Sequence, residues 1–468
     1  MKTEQTVSRR GVIKAAGAAG GILILPSHVL GRGGKTSPND KMNIAFIGLG
    51  TYGARGLKEL SAHNAVALCD VDWRPRSVIG GNQVVASEVA ANYPNVKRFD
   101  DWRVMLHEMD KQIDGVLVCS ADHTHAIATI TAMKMGKHVF CEKPLAHSIG
   151  EVRAMMAAQH KYKVATQTGI QGHASEDCRM MVEWIRDGAI GDVREVHLFQ
   201  KPHPGTGPKY YDRLQHVSDQ VAIPAEVKWD LWLGPAAERP YNPMYLPRRW
   251  RDFVDFGTGI LGDHGPHYMD VVYWALDLGF PETIEAETDP EYDPRQMWPR
   301  MSAVQYGFPA RGKHPPVKLT WFGFREPPTP QGWPAGKPLP DGGGIFIGSK
   351  GTIAYGPLYM SRPGAPLEGQ VTLLPEELDK HYKRPDRTIP RPQSHWLEWV
   401  DASRSGKQPG ADFQFGGMVT QLCLLGDIAM RNRGNILRFD RKKGKFTNSE
   451  AANRMFETPS REGWKLPS

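Results

Sequence analysis

The sequence predicts an α/β chain of two domains: a parallel, dinucleotide-binding sheet over residues 42–163, then an α/β region with a half-exposed antiparallel sheet over residues 164–468. Three observations predict it. At 468 residues the chain is long enough to bury two cores. A short apolar run near the start leads directly into Gly-x-Gly-x-x-Gly and a helical stretch. Beyond Val164 the strands change from continuous apolar runs to alternating ones, the change expected when a doubly covered parallel sheet gives way to an antiparallel one.

Residues 1–34 stand apart from both domains. They carry Lys2, Arg9, Arg10, Lys14 and Arg32 against Glu4, so more than half of the +7 formal charge lies there. The rest of the chain has no basic run interleaved with aromatics, which excludes a nucleic-acid surface. Ser8-Arg9-Arg10-Gly11-Val12-Ile13-Lys14 followed by the weakly apolar Ala15–Leu25 reads as a twin-arginine export signal and linker. The apolar run is too short and interrupted to anchor a membrane stably. No clean Ala-x-Ala site follows, so the mature N-terminus falls between Ser27 and Thr36. That route exports folded proteins to the periplasm, and its machinery would be a partner. Five cysteines, 69, 119, 141, 178 and 423, are an odd number, the first three in apolar strands; they read as buried thiols rather than a disulfide framework.

Asn43–Ile47 is the first strand, and Gly48-Leu49-Gly50-Thr51-Tyr52-Gly53 follows it. Gly48 permits the tight turn, Gly50 lets backbone approach a pyrophosphate, and Gly53 allows close helix packing, with Thr51 and Tyr52 at the helix N-terminus. The strand Ala65–Cys69 ends in Asp70, 17 residues past Gly53, where a carboxylate accepts hydrogen bonds from an adenosine ribose. At about 4 Å it would repel a 2′-phosphate by ~4 kcal/mol per unit charge at an effective dielectric of 20, favouring NAD over NADP. Arg74 and Arg76 lie near enough to keep NADP open.

A helix near Asp101–Met109 and the strand Gly115–Cys119 lead to Ser120-Ala121-Asp122-His123-Thr124-His125. Two histidines there raise the thought of a metal, but Asp122 reads more simply as a helix cap and the loop faces the dinucleotide, so no metal site is expected. After the helix Ala126–Met135, His138–Cys141 forms a buried strand ending in Glu142-Lys143-Pro144, which delivers a cation to the ligand-binding edge of the sheet. Val164–Thr168 is either the last strand of this domain or a crossover. A helix over Ser175–Asp187, strands at Arg194–Gln200 and Val317–Phe324, a hairpin over Gly344–Ile353 and helices at Ser394–Ser403 and Gly417–Arg431 follow; Glu326–Pro340 is a Pro-rich surface loop or subunit-contact arm.

The second informative stretch is Asp255–Asp270. Asp263 sits where a helix N-cap would, Pro266 fits the first turn, and an apolar helix runs to Leu278, closed by Gly279. Asp263 and His267 are spaced i, i+4 and share a face. A capping aspartate with a structural histidine explains this, and so does an acid–imidazole pair for proton transfer.

Gly-x-Gly-x-x-Gly at 48–53, Glu-Lys-Pro at 142–144 and Asp-x-x-x-His at 263–267, in that order, resemble the glucose-fructose oxidoreductase / inositol dehydrogenase / rhizopine catabolism (Gfo/Idh/MocA) family. Lys228–Pro235 is similar to its exported members. The resemblance implies a Rossmann NAD(P)-binding domain, then an α/β domain with a large open, mostly antiparallel sheet that builds dimers or tetramers. It implies Lys143, Asp263 and His267 as the catalytic trio. His267 would be general base, Lys143 would stabilise the reacting oxygen, and Asp263 would orient imidazole or substrate. Pro144 would fix the loop, as a cis peptide in some settings. By the same resemblance His125, Glu142, Gln171 and the pair Trp250-Arg251 would be the remaining cofactor-side positions, and His173 and His264 would be substrate-side. His173 stands near where many relatives carry arginine, and His264 offers a second imidazole able to exchange roles with His267. The expectation is a periplasmic sugar, glycoside or polyol oxidoreductase with a tightly held nicotinamide. Its rivals are a glycosidase using NAD transiently and a non-catalytic sensor.

Overall fold

The computed structural model describes residues 40–79, 83–202, 211–212, 214–215, 217, 219, 221–357 and 371–467, so the expected export signal lies outside the described residues. Six short strands, β1 (Asn43–Ile47), β2 (Asn64–Cys69), β3 (Lys97–Phe99), β4 (Gly115–Val118), β5 (His138–Cys141) and β6 (Thr166–Thr168), form a sheet in the order β3-β2-β1-β4-β5-β6. All its pairings are parallel. The order reverses between β1 and β4, and that reversal opens a crevice beyond the strand ends for a ligand. Of the two readings of Val164–Thr168, last strand or crossover, the sheet shows the strand: Thr166–Thr168 pairs with β5.

Burial on both faces explains the unbroken apolar strands. One face of the first sheet is covered by a contribution from late in the chain: Trp396, Trp399 and Val400 of the helix His395–Ser405 pack with Ile44, Phe46, Leu117 and Phe140. Ser394 caps that helix by accepting from the Leu397 N–H. The long helix Phe413–Arg431, capped by Asp412, is joined to β6 where Thr166 Oγ1 accepts from the Phe413 N–H at 3.2 Å.

The second sheet holds β7 (Val193–Gln200), β8 (Thr283–Thr288), β9 (Ser302–Phe308), β10 (Val317–Gly323), β11 (Gly342–Gly348), β12 (Thr352–Tyr355), β13 (Val371–Leu374), β14 (Leu437–Asp440) and β15 (Lys445–Phe446). Its order is β13-β12-β11-β7-β10-β9-β8-β14-β15. Only the β7–β10 pairing is parallel, so the sheet is mostly antiparallel. β11 and β12 make the expected hairpin, and Glu326–Pro340 is a loop that tucks Leu339 against Phe199 and Ile345.

The helix carrying the Asp-x-x-x-His motif runs Gly259–Leu276. It starts earlier than expected, with Thr258 rather than Asp263 at its N-cap and Pro266 inside it. Pro266 lacks the N–H that would bond the Gly262 carbonyl, and the chain packs closely at this turn: a Cβ on Gly262 would lie 1.9 Å from Thr258 Oγ1. Freed from capping, the Asp263 carboxylate faces the first domain. No helix among the described residues is long and apolar enough to cross a membrane.

Candidate active site

A cleft of about 380 Å³ runs from the β1–β4 crevice to the helix Gly259–Leu276. At one end the turn after β1 makes a cradle. Gly48 has φ +83°, and a Cβ there would sit 2.6 Å from the Cys119 carbonyl; a Cβ on Gly53 would fall 1.9 Å from the Gly48 oxygen. Gly50, by contrast, faces open space. The helix Thr51–Glu59 that follows has no side-chain hydrogen bond at its Gly50 cap and no acid in its first turn. An uncapped helix end with open space before it fits an anionic pyrophosphate.

Asp70 closes this end. Its Oδ2 accepts from the Leu49 N–H at 2.7 Å, and its Oδ1 from Val71 and Asp72 N–H at 2.8 and 3.0 Å. Burial nevertheless pushes its pKa up to about 6 against these donors. The two arginines that kept NADP open are committed elsewhere. Arg74 forks onto Asp72 at 2.8 and 2.6 Å and reaches Tyr241 Oη at 3.0 Å, while Arg76 pairs with Glu88.

At the other end, two domains meet on one carboxylate. Lys143, at the end of β5 and followed by a cis bond to Pro144, donates to Asp263 Oδ1 at 2.6 Å and to the Asp263 carbonyl at 2.8 Å. Arg251 Nε lies 3.5 Å from Oδ1, and His264 Nε2 3.8 Å from Oδ2. Burial would raise the Asp263 pKa, but Lys143, Arg251 and His264 hold it well below the usual carboxylate range. Burial alone would lower Lys143; Asp263 and Tyr52 outweigh it, so the ammonium is held charged. His267, one turn along the same wall, is driven well below its ordinary value by burial, then by Lys143 and His264, and is a neutral imidazole at pH 7. Asp263 thus holds Lys143 directly, through both its carboxylate and its carbonyl.

Gly48, Gly50, Thr51, Tyr52, Asp70, Lys143, Trp250, Arg251, Asp263, His264 and His267 all line this cleft. His125, Glu142, Gln171 and His173 are not among its lining residues, and Gly53 acts as a spacer. His125 is buried with its ring nitrogens 3.0 Å from the Pro144 and Ser120 carbonyls, and burial lowers its pKa to about 4, so it braces the Lys143-Pro144 turn from behind. Glu142 lies under Gly169, accepts from the Lys143 N–H at 3.3 Å, and is pushed up to about 7 by burial. His173 is bound to Asp270 at 2.7 Å and stacked on Trp274. Asp122 caps nothing; its carboxylate accepts from Thr258 Oγ1 at 2.8 Å. No group of residues suited to a metal occurs among the described residues, and all five cysteines are free.

Sequence reasoning missed Val71, Asp72, Trp232, Pro247 and Arg248 on the cleft wall. Their stretches contain no cofactor fingerprint; Trp232 alone lies in a stretch already singled out, Lys228–Pro235, for its similarity to exported family members.

The oxidoreductase family GFO_IDH_MocA, with an NAD-binding Rossmann fold, matches residues 42–170, and its C-terminal α/β domain matches residues 179–307, together more than half of the chain. The chain belongs to the Gfo/Idh/MocA family. Its first domain is an NAD-binding Rossmann domain, as the cradle fits. Among similar curated proteins, myo-inositol 2-dehydrogenase of Thermotoga maritima is 30% identical over 179 residues, 37% of this chain and 49% of that protein. Glycosyl hydrolase family 109 protein 1 of Akkermansia muciniphila is 29% identical over 168 residues, 34% of each chain. The chain thus spans half or less of the length of these Gfo/Idh/MocA relatives. A solved aldose-aldose oxidoreductase from Caulobacter crescentus, complexed with glycerol, shares the fold at 17% identity with a TM-score of 0.53, covering 85% of this chain and 100% of that one.

Proposed function

We propose that the chain is an NAD-dependent oxidoreductase acting on a hydroxyl-bearing carbon of a sugar, glycoside or polyol, working in the periplasm after twin-arginine export with its nicotinamide held tightly. The carrying observation is the convergence, on one cleft with a dinucleotide cradle, of a charged lysine and a neutral imidazole around a carboxylate. NAD, when bound, supplies the hydride acceptor. Gly48–Gly53 and Asp70 would hold its pyrophosphate and adenosine ribose.

The chain's own residues do the proton chemistry. His267, neutral at pH 7, takes the hydroxyl proton as the carbon gives up hydride, a role typically worth 10²–10⁴-fold. Lys143 donates a hydrogen bond to the same oxygen and stabilises its developing negative charge. Asp263 keeps that ammonium protonated and pointed. Substrate class rests on the inositol-dehydrogenase relative. A dimer or tetramer built on the open sheet belongs to the same reading.

One observation favours a second reading: the relative from Akkermansia muciniphila carries a glycosyl hydrolase name. In that case the cleft would oxidise a glycoside, eliminate the aglycone and reduce the product, with no net NADH. Mass analysis of nucleotide released by denaturing the protein purified from the periplasm, then a sugar panel followed at 340 nm, tests both. Bound NAD reduced by a particular sugar supports the oxidoreductase. Glycoside cleavage without lasting 340 nm absorbance supports the second reading, and a protein without nucleotide or chemistry removes both.

A further inference from the structure

The wall of the cleft that faces Asp70 belongs to the second domain by sequence, yet it is fastened to the first. Lys228 donates its N–H to the Val71 carbonyl at 2.8 Å and Trp73 donates to the Glu226 carbonyl at 3.1 Å, bracketing an antiparallel bridge between Asp72 and Val227. This pairing continues directly from the Asp70 loop. Behind it, Arg74 is buried and ties Asp72 to Tyr241.

A second fastening sits at the β4 end. His123, the histidine that raised the thought of a metal, lies between the Phe256 carbonyl at 3.2 Å and the Trp232 carbonyl at 3.1 Å. Burial lowers its pKa to about 3, so the ring is neutral and donates to only one of them. The rest of its surroundings are aromatic: Trp232 and Phe256 pack against it, and Ala121 joins their cluster. A third fastening is the segment from Arg461 to Trp464. Arg461 donates to the Gly234 carbonyl at 2.9 Å and to Asp230 Oδ1 at 2.8 Å, while Trp464 lies under Arg103 of the nucleotide domain at 4.2 Å.

We propose that residues 226–256 form a fixed cover over the dinucleotide, fastened to the Rossmann domain at the Val71–Trp73 edge, at His123 and by the Arg461–Trp464 strap, and that this cover keeps the cofactor bound through many turnovers. The cover reaches the cleft through Trp232, Pro247, Arg248, Trp250 and Arg251. A lid that opens each cycle needs an interface of few, exposed contacts. This one is made of paired backbone, the buried Arg74–Tyr241 hydrogen bond and an aromatic cluster that takes in Ala121, so opening it costs a piece of folding free energy. Retention in the proposed function rested on export alone; here it acquires a structural cause, and the inference rests on that reading only for the identity of the nucleotide.

Lys228→Pro tests it, because it deletes one backbone donor of the bridge at a residue that does not line the cleft. Arg461→Met loosens the strap. Arg391→Met, which breaks an ion cluster with Glu176 and Glu183 remote from the cover, is the control for general destabilisation. The readout is the rate at which bound NADH fluorescence is lost when the full-length protein is mixed with excess NAD, with thermal melting to establish that each variant is folded. The expected result is slow release from the wild type, faster release by roughly tenfold or more in Lys228→Pro and Arg461→Met, and no change in Arg391→Met. Wild-type exchange within seconds, or folded cover variants that release at the wild-type rate, overturns the cover. Slow wild-type release with no sugar oxidised or glycoside cleaved leaves the cover standing and removes the proposed function instead.

Discussion

At the cradle end of the cleft a ligand would meet mainly backbone: the uncapped end of the helix Thr51–Glu59, open space at Gly50, and a carboxylate already bound by three N–H groups. At the other end it would meet charged side chains drawn from β5 and from a helix 120 positions later, collected on one aspartate. Shape decides the first end, since what matters there is where Cβ atoms are missing. Charge decides the second, since each group's state depends on its neighbours. The two ends should therefore fail differently when altered.

The largest expected effects lie at the charged end. Lys143→Met leaves the partly buried Asp263 with only Arg251 and His264 beside it, which should lower stability, and it removes the oxygen's stabilisation, about 10²–10³ in kcat. Thermal melting and turnover with any accepted sugar would check this; a stable, active Lys143→Met protein breaks the comparison. His267→Asn should lower kcat by 10²–10⁴ with bound NAD content unchanged. At the shape end the expected losses separate. Gly48→Ala forces a Cβ into the Cys119 carbonyl at positive φ and should destabilise the fold. Gly50→Val meets nothing, so it should melt like the wild type and bind NAD about tenfold or more weakly by calorimetry.

Much of this was legible in sequence because both ends depend on short local patterns. A strand that runs into Gly-x-Gly-x-x-Gly can place its glycines in few ways, and Glu-Lys-Pro at a strand end puts the lysine on the ligand edge. The sequence places Asp263 at a helix start because Asp with Pro three residues on normally marks one; the helix instead begins at Gly259, through glycines that local propensity does not favour. His125, Glu142 and His173 carried the right chemistry for a site, and burial behind the wall was invisible without the packing. The cover was least legible of all. Its pairing with Val71–Trp73 joins residues over 150 positions apart and uses backbone groups, which leave no signature in side-chain identity.

The smallest expected effect is also the one that separates shape from charge within the cradle. Asp70 is an acid whose pKa is raised to about 6. By linkage, a raised acid is protonated more readily in the fold than in the unfolded chain, so this group favours folding below its unfolded value and loses that contribution as pH rises through about 6. Ribose hydroxyls donating to it would favour the ionised form. NAD affinity should then increase as pH rises toward about 6 and level off above it, with protons released on binding in the acid range. Calorimetry in buffers of different ionisation enthalpy measures that release directly. Asp70→Asn should abolish the slope and weaken binding only modestly, since the Leu49 N–H still finds an amide oxygen. A slope that survives in Asp70→Asn would place the titrating group elsewhere, and Asp122, raised to about 6 by burial beside Thr258, would be the next to change.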